Sequence, residues 1–259
     1  MDLSLEKKRV LITGGSRGIG AATARSFLKE GAKTYIVSRG SNQLYQTKSS
    51  LVKEFSESQI VVDECDCTDP TSLLLLKERI QEKWNGLDIL IANVGDGSSV
   101  LDELPDQDQW EKTWKNNFDS ALYTVRAFLP MLKESKGCLL FVSSITAMEA
   151  FGAPVDYSTA KSAISALAKN MARKLAQEVR VNVLAPGNVW FPGGSWDNKL
   201  KKNPERVKKI IKSTVPMNRF GKPEEMADAI VFLCSEKANF ITGSVLVVDG
   251  GQTVGVFCL

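Results

Sequence analysis

The residues of this chain best suited to chemistry are a tyrosine, a lysine and a serine. Tyr157 and Lys161 lie four positions apart, and Ser144 precedes the tyrosine by 13 positions. On a helix, residues four apart share one face, so a cation at Lys161 stands beside the phenol of Tyr157. We expect that cation to lower the tyrosine pKa from about 10 towards working pH. Such a tyrosine can donate a proton to an alkoxide or accept one from an alcohol.

The sequence contains no histidine, which narrows the chemistry further. Histidine-dependent triads, histidine-ligated metals and histidine acid–base catalysis are excluded. The cysteines stand at positions 65, 67, 138, 234 and 258, without the spacing of a disulfide framework or of a zinc site. We therefore expect no metal and reduced thiols, as is typical of a cytoplasmic protein.

A glycine-rich segment near the N-terminus predicts a phosphate-binding turn. An apolar strand ending at Thr13 runs into Gly14, Gly18 and Gly20, and a helical run follows from Ala21 to Glu30. Glycines between a strand and a helix permit a tight turn, close approach of the backbone to a phosphate, and close helix–strand packing. A glycine-rich turn that binds nothing is the alternative for this motif taken alone.

Strand and helix patterns alternate along the whole chain. Strands are predicted at residues 8–13, 32–38, 59–65, 87–92, 138–143, 179–185 and 245–248, and helices at 21–30, 43–57, 70–84, 106–132 and 155–176. Pro130 is expected to break the helix that contains it. The alternation predicts an α/β fold, a doubly wound parallel sheet of Rossmann type in three α/β/α layers. We expect one domain over residues 1–259, with a substrate-lid insertion at about 190–215.

The composition argues against other classes of protein. The 33 basic and 30 acidic residues give a net charge of only +3, which does not favour a nucleic-acid partner. The segment from Met1 to Lys7 has no apolar stretch of a signal peptide, and no run approaches the roughly 20 apolar residues of a membrane span. We therefore expect a cytoplasmic protein that binds neither nucleic acid nor membrane.

Together, the motifs resemble those of the short-chain dehydrogenase/reductase family, and within it the 3-oxoacyl-[acyl-carrier-protein] reductases. The family's T-G-x-x-x-G-I-G stands at Thr13–Gly20, its N-N-A-G is similar to Ala92–Gly95, and its Y-x-x-x-K matches Tyr157 and Lys161. The later P-G and D-G-G motifs match Pro186–Gly187 and Asp249–Gly251. Two positions depart from the pattern. Val94 is bulkier than the small residue that the family often has beside Asn93, and Phe191 stands where the family commonly has a threonine near the nicotinamide carboxamide.

The resemblance implies a catalytic tetrad of Asn117, Ser144, Tyr157 and Lys161. The tyrosine would be the acid/base and the serine would bond the substrate oxygen. The lysine would also bond the nicotinamide ribose, and the asparagine would hold a water that connects the lysine to solvent. The cofactor contacts implied are Gly14, Ser16, Arg17, Gly18, Ile19, Gly20, Ser38, Arg39, Asp66, Cys67, Asn93, Gly95, Tyr157, Lys161, Pro186, Gly187 and Val189.

The end of the second strand predicts which nicotinamide cofactor is used. An acidic residue there would bond the ribose of NAD and repel a 2′-phosphate, but Val37–Ser41 contains none. Arg39 can bind a 2′-phosphate with its forked guanidinium, and Arg17 in the glycine loop adds a second cation. NADP(H) is therefore the predicted cofactor, and two solvated loop arginines are the alternative.

The predicted function is NADPH-dependent reduction of a carbonyl to a secondary alcohol. The leading small-molecule substrates are 3-oxoacyl thioesters, free or carrier-linked, and keto-sugars. Two alternatives stay open: an NAD-dependent alcohol or sugar dehydrogenase working in the oxidative direction, and a non-catalytic nucleotide-binding protein. The resemblance also implies a homotetramer or homodimer.

The segment after Pro186 is expected to set substrate specificity. Candidate pocket walls are Trp190, Phe191, Trp196 and Met217. The basic run at 199–212 predicts either attraction of an acyl-carrier protein, coenzyme A phosphates or a nucleotide sugar, or a solvated helix face. The apolar tail at 254–259 is expected to be covered by the chain itself or by a neighbouring subunit, or else to be a disordered terminus.

Overall fold

In the computed structural model, which describes residues 2–256, seven parallel strands form one sheet. They are β1 (Arg9–Thr13), β2 (Lys33–Ser38), β3 (Ile60–Glu64), β4 (Ile89–Ala92), β5 (Cys138–Val142), β6 (Arg180–Pro186) and β7 (Val245–Val248). Their order is β3-β2-β1-β4-β5-β6-β7. Strands β2 and β3 extend the sheet on one side of β1, and β4 to β7 extend it on the other. This switch point between β1 and β4 opens a crevice at the carboxyl ends of the two strands. The predicted doubly wound parallel sheet is confirmed.

Helices cover both faces of the sheet. They are α1 (Gly18–Lys29), α2 (Ser41–Leu51), α3 (Pro70–Trp84), α4 (Gln107–Trp114), α5 (Ser120–Glu134), α6 (Val155–Leu175), α7 (Ser195–Lys202), α8 (Pro204–Thr214) and α9 (Pro223–Cys234). A π-helical segment, Lys115–Asp119, joins α4 to α5. Within the described residues, no helix is long and apolar enough to cross a membrane.

Two hydrophobic cores follow from the period of two along each strand. On β1, Val10 and Ile12 face one core together with residues of α1, α2 and α9, whereas Leu11 faces the other with residues of α3, α5 and α6. Because helices cover both faces, alternate strand positions are equally apolar. This is why the strands are continuous apolar runs in the sequence.

The prediction that Pro130 breaks its helix is wrong. Helix α5 continues through it to Glu134. Proline removes one backbone donor and is unfavourable inside a helix. Here Phe128, Met131 and Leu132 are buried in a core on either side of Pro130, and this packing outweighs the local preference.

Helices α7, α8 and α9 were not delimited in the sequence analysis. Helix α9 is apolar on most of its surface because it packs against both α1 and the sheet, and it therefore lacks a clear period of 3.6. Its start has a sequence signal in Lys222–Glu225. The Glu225 carboxylate accepts a hydrogen bond from the Lys222 backbone N–H at 2.8 Å, and Pro223 occupies the first turn.

An ion pair stabilises the amino end of β1 and β4. The guanidinium of Arg9 donates two hydrogen bonds of 2.8 Å to the Asp88 carboxylate, which also accepts from the Arg9 backbone N–H at 2.8 Å. Burial disfavours ionisation of Asp88, but the bonds from Arg9 outweigh it and hold its pKa below the usual range.

Asp88→Asn is expected to lower the free energy of unfolding by about 1–3 kcal/mol at pH 7, because it leaves the partly buried Arg9 without its counter-charge. Since the folded pKa of Asp88 is depressed, this stability is present above the unfolded pKa of about 3.9 and is lost as pH falls through the lower folded value. Urea unfolding at pH 7 and at acidic pH measures both effects. Glu6→Gln, in an exposed pair with Lys7, is the control. Equal effects of the two variants would contradict the prediction.

Candidate active site

The glycine loop between β1 and α1 forms one wall of the crevice. Gly14 and Gly18 adopt φ angles of +63° and +54°, which side chains other than glycine rarely tolerate. A Cβ on Gly20 would lie 2.5 Å from the Gly14 carbonyl oxygen and 2.7 Å from Nδ2 of Asn93. The glycines therefore meet the turn and packing requirements predicted for them.

Asn93 fastens the end of β4 to this loop. Its side-chain amide donates hydrogen bonds of 3.0 Å to the carbonyl oxygens of Thr13 and Gly14. Its backbone N–H donates to the Thr13 hydroxyl at 3.1 Å. Asn93 therefore fixes the position of the glycine loop, and it also lines the cavity described below.

The two predicted phosphate-binding arginines lie on the same side of the site. Arg39 follows β2 and donates a long hydrogen bond of 3.4 Å to Asn116. Arg17 donates a bond of 2.9 Å to the Gly193 carbonyl oxygen, so it joins the glycine loop to the predicted lid. Asp66 accepts bonds from the backbone and hydroxyl of Thr68 at 2.9 and 2.8 Å, which makes it a turn residue as well as a cavity residue.

Tyr157, Lys161 and Ser144 meet on the opposite wall. Helix α6 carries the tyrosine and lysine, and Ser144 follows β5. The Lys161 Nζ lies 5.9 Å from the centroid of the Tyr157 ring and donates to the Val142 carbonyl oxygen at 3.1 Å. Ser144 accepts hydrogen bonds from the N–H and hydroxyl of Thr146 at 3.2 and 3.0 Å, and its hydroxyl is close enough to Tyr157 to influence the pKa of the phenol.

The Tyr157 pKa differs from the expectation. Burial raises it above the ordinary value of 10, the hydrogen bond with Ser144 lowers it, and the nearby Asp96 carboxylate raises it again, with a net rise. Burial also lowers the Lys161 pKa to about 8. The predicted lowering of the Tyr157 pKa is wrong for this structure, because burial is the largest influence on it and favours the neutral phenol. The neutral phenol is therefore the form of Tyr157 at neutral pH.

Asn117 is buried in the π-helical segment behind this wall. Its side chain accepts a hydrogen bond from the Asp96 backbone N–H and donates to the Asp96 and Thr113 carbonyl oxygens, all at 3.0 Å. A Cβ on Gly95 would lie 3.0 Å from its Oδ1 and 2.7 Å from Nζ of Lys161. Asn117 thus holds the loop after β4 beside Lys161. π-helical turns are frequent at functional sites.

These walls enclose one continuous cavity of about 1090 Å³. The volume slightly exceeds the usual range for ligand pockets, about 300–1,000 Å³, so it has room for a dinucleotide and a small substrate together. The predicted site residues that line it are Gly14, Ser16, Arg17, Ile19, Ser38, Arg39, Asp66, Cys67, Asn93, Gly95, Ser144, Tyr157, Lys161, Pro186, Gly187 and Val189. Gly18, Gly20 and Asn117 are not among the lining residues and instead support them.

The predicted lid, residues 190–215, contains α7 and α8. Phe191 and Trp196 line the cavity as expected, but Trp190 and Met217 do not. The ring of Phe191 covers Gly18, where an added Cβ would lie 2.6–2.8 Å from its atoms. The residue that replaces the family's threonine therefore packs against the glycine loop. Met217 is 64% exposed.

A sequence model described as enoyl-(acyl carrier protein) reductase matches residues 14–253. The chain belongs to the short-chain dehydrogenase/reductase family. Among curated members of the family, the 3-oxoacyl-[acyl-carrier-protein] reductase FabG of Thermotoga maritima is 30% identical over 256 residues, covering 97% of this chain and 100% of the relative. Dehydrogenase/reductase SDR family member 4 of Bos taurus is 34% identical, with 96% and 88% covered.

Solved structures of short-chain dehydrogenases/reductases superpose closely on this chain. The L-sorbose reductase of Gluconobacter frateurii, in complex with NADPH and L-sorbose, gives a TM-score of 0.92 at 29% identity and covers 99% of this chain and 100% of that one. RhlG of Pseudomonas aeruginosa, in complex with NADP, gives 0.88 at 28% identity, with 97% and 98% covered. The chain is thus an oxidoreductase of this family in both sequence and structure.

Two polar residues of the site were missed as contributors in the sequence analysis. Asp156 is fully buried, and its carboxylate accepts hydrogen bonds from the Ser99 hydroxyl and the Tyr157 backbone N–H. It therefore joins the start of α6 to the loop after β4. Gln252 is 6% exposed, lines the cavity, and its Oε1 has no hydrogen-bond partner among the described residues. Only the position of Asp156, next to Tyr157, could have drawn attention in the sequence.

Proposed function

We propose that this protein uses NADPH to reduce a ketone to a secondary alcohol. The observation that carries the proposal is that Ser144, Tyr157 and Lys161 share one cavity with a glycine loop flanked by two arginines. FabG of Thermotoga maritima and the L-sorbose reductase of Gluconobacter frateurii support 3-oxoacyl thioesters and keto-sugars as leading substrates.

The residues present fit the proposed cofactor. The glycine loop leads into the start of α1, and the positive φ angles at Gly14 and Gly18 form its tight turn. A pyrophosphate can bind to the free backbone N–H groups at such a helix start. Arg17 and Arg39 supply two cations for a 2′-phosphate, and no acidic residue ends β2. Asn93, Gly95, Pro186 and the remaining lining residues would hold the rest of the dinucleotide. When bound, NADPH supplies a hydride to the carbonyl carbon.

Tyr157 and Ser144 would act on the carbonyl oxygen. Ser144 accepts hydrogen bonds from both donors of Thr146, so its own proton is free to be donated towards the cavity. That bond stabilises the negative charge that develops on the oxygen. Tyr157 then donates its phenolic proton to the alkoxide. Burial raises the Tyr157 pKa, so at neutral pH the side chain is the protonated phenol that this step requires.

Lys161 would provide the positive field on this wall. Its ammonium is fixed by the Val142 carbonyl oxygen, and Gly95 leaves room for it. The phenolate that remains after proton donation is stabilised by this charge. Asn117 acts through the loop it holds, and its part in a proton path from Lys161 to solvent stays a prediction.

A titration with NADPH and NADH, followed by fluorescence, tests the cofactor. Wild type is expected to bind NADPH more tightly, and Arg39→Ala to weaken NADPH binding about 10- to 100-fold while NADH binding changes little, because only NADPH carries the 2′-phosphate. Arg126→Ala, an exposed arginine of α5 outside the cavity, is the matched control. Equal or tighter NADH binding by wild type would support an oxidative NAD-dependent enzyme. NADPH binding without reduction of any ketone would support a non-catalytic protein.

Several expectations stay predictions. They are the single domain, the homotetramer or homodimer, and the cytoplasmic location. The backbone N–H groups of Val254 and Gly255 donate hydrogen bonds to the Glu149 carboxylate, so this part of the tail is bonded to the segment between β5 and α6. Val254 and Val256 remain exposed, and residues 257–259 of the predicted apolar tail lie outside the described part of the chain.

A further inference from the structure

Three cations of the lid line the cavity. Lys199 and Lys202 lie three positions apart on α7, and Arg206 lies in the first turn of α8. Residues three or four apart share a helix face, so the two lysines point in similar directions. The basic run at 199–212 therefore contains two groups of cations. Lys199, Lys202 and Arg206 line the cavity, whereas Lys208, Lys209 and Lys212 do not.

The acidic residues of the lid are engaged elsewhere. Asp197 accepts hydrogen bonds from Lys201 at 2.7 Å and from the Gly193 backbone N–H at 2.9 Å. Glu205 pairs with Lys208 at 3.0 Å. In the part of the chain that the structure describes, none of the three cavity-facing cations forms an ion pair.

Lys199 is held in place by an aromatic ring although a second cation, Arg206, lies nearby. The Nζ of Lys199 lies 4.5 Å from the centroid of the Trp196 ring, a cation–π contact. Trp196 in turn packs against Phe220, with ring centroids 5.4 Å apart. Burial and the positive charge of Arg206 lower the Lys199 pKa. A negative charge between these side chains would relieve their repulsion.

Apolar residues of α8 continue the same wall. Val207 and Ile210 line the cavity beside Arg206, and both belong to the face of α8 that points inwards. This wall therefore offers apolar contact next to positive charge. A molecule that complements it has a carbon skeleton with an anionic end.

The cluster lies on a different segment from Arg39, the arginine at the end of β2 that is proposed to bind the 2′-phosphate of the cofactor. Arg39 follows β2, and the lid follows β6, which lies four strands further across the sheet. At about 4.8 Å between neighbouring strands, these two strand ends are about 19 Å apart. Arg17 lies nearer to the lid, because it donates a hydrogen bond to the Gly193 carbonyl oxygen. With Arg39 and Arg17 assigned to the cofactor, the three lid cations are available for a second anionic group.

We propose that the ketone substrate carries an anionic group, a carboxylate or a phosphate, and that Lys199, Lys202 and Arg206 bind it. This inference rests on the proposed reductase function and deepens it. The group lies at the lid end of the cavity while the carbonyl reaches Ser144 and Tyr157. The three cations therefore select among ketones by charge.

Matched pairs of ketones test the inference. Each pair contrasts an anionic ketone with a neutral relative: acetoacetate against ethyl acetoacetate for a carboxylate, dihydroxyacetone phosphate against dihydroxyacetone for a small phosphate, and acetoacetyl-coenzyme A against acetoacetyl-pantetheine for a carrier phosphate. Wild type is expected to have a higher kcat/KM for the charged member of at least one pair. The pair with the largest preference identifies the source of the charge.

A triple variant, K199A/K202A/R206A, is expected to reduce that preference by roughly tenfold or more, since hydrogen bonds to charged groups are the strong ones. The control K208A/K209A/K212A removes the same charge from the same lid, outside the cavity, and is expected to keep the preference within about threefold. Absence of any preference in wild type, or equal loss in both triple variants, would overturn the inference.

Calorimetry separates this inference from the proposed function. Coenzyme A and glycerol 3-phosphate serve as unreactive phosphate probes, and acetate as a carboxylate probe, with protein saturated with NADP⁺ so that the cofactor's own anion site is filled. Binding by wild type that is lost in the cavity-facing triple variant supports the anion site even if no ketone is reduced. Reduction of neutral ketones with no binding of any probe and no charge preference refutes the anion site and leaves the reductase function standing.

Discussion

Tyr157→Phe is expected to lower kcat for ketone reduction by roughly 10²- to 10⁴-fold while leaving NADPH affinity within about twofold. The variant removes the phenolic proton and keeps the aromatic ring. The ring packs beside Gly97, where an added Cβ would lie 3.7 Å from Cζ of Tyr157. No histidine exists in the chain to replace the lost acid. Ser144 would still polarise the carbonyl, so a residual rate above the uncatalysed reaction is expected.

Steady-state kinetics and NADPH fluorescence titration on the same preparation check this prediction. Tyr45→Phe is the control, because Tyr45 is 52% exposed and does not line the cavity. Activity of Tyr157→Phe within tenfold of wild type would show that the proton comes from another group or from water. Loss of NADPH binding would instead place the tyrosine in cofactor binding.

Lys161→Met is the change with the second largest expected effect. It removes the buried ammonium and retains a side chain of similar length, so kcat/KM for reduction is expected to fall about 100-fold or more at pH 7. The 3% exposure of Lys161 makes the effect strong, because little water screens its charge.

The pH dependence of kcat/KM gives the sign of the Lys161 contribution. The ammonium is present below its pKa of about 8 and is lost as pH rises through that value. Because the Tyr157 pKa is raised above 10, the phenol stays protonated through this range. Reduction by wild type should therefore decline above about pH 8. In Lys161→Met the rate should be low throughout, without that decline. A wild-type profile that is flat up to pH 9.5 would contradict the assignment, as would an unchanged decline in the variant.

The sequence was sufficient for the framework of the fold. The apolar runs at β1, β4 and β5 are unambiguous because both faces of these strands are covered. Two spacings identify residues of the two opposite walls of the cavity: that of the glycines at 14, 18 and 20, and that of Tyr157 and Lys161. Such signals are local in sequence, and the parallel topology then brings them to one edge of the sheet.

What the sequence could not provide depends on burial and on contacts between distant segments. The spacing of Tyr157 and Lys161 shows that they are neighbours, but the direction of each pKa shift depends on how much water reaches them. Likewise, the packing of Phe191 on Gly18 joins residues far apart in the chain. Pro130 illustrates the same limit, since packing around it outweighs its local preference.

The division of the basic run at 199–212 also required the structure. In sequence, these cations are compatible both with attraction of a ligand and with a solvated helix face, and the folded lid separates them into two groups. Lys199 lines the cavity, whereas Lys208 pairs with Glu205 outside it. A helical period of 3.6 gives relative directions, but not which direction faces the cavity.

The placement of β4 beside β1 has a consequence for synthesis of the chain. Asn93 fastens Thr13 and Gly14 across a separation of about 80 residues. At translation rates of about 5–20 residues per second, the glycine loop exists for about 4–16 s before this partner is made. Throughout that time the exposed edge of β1 is open to incorrect pairing. The crevice between β1 and β4 therefore cannot be completed until β4 has been synthesised.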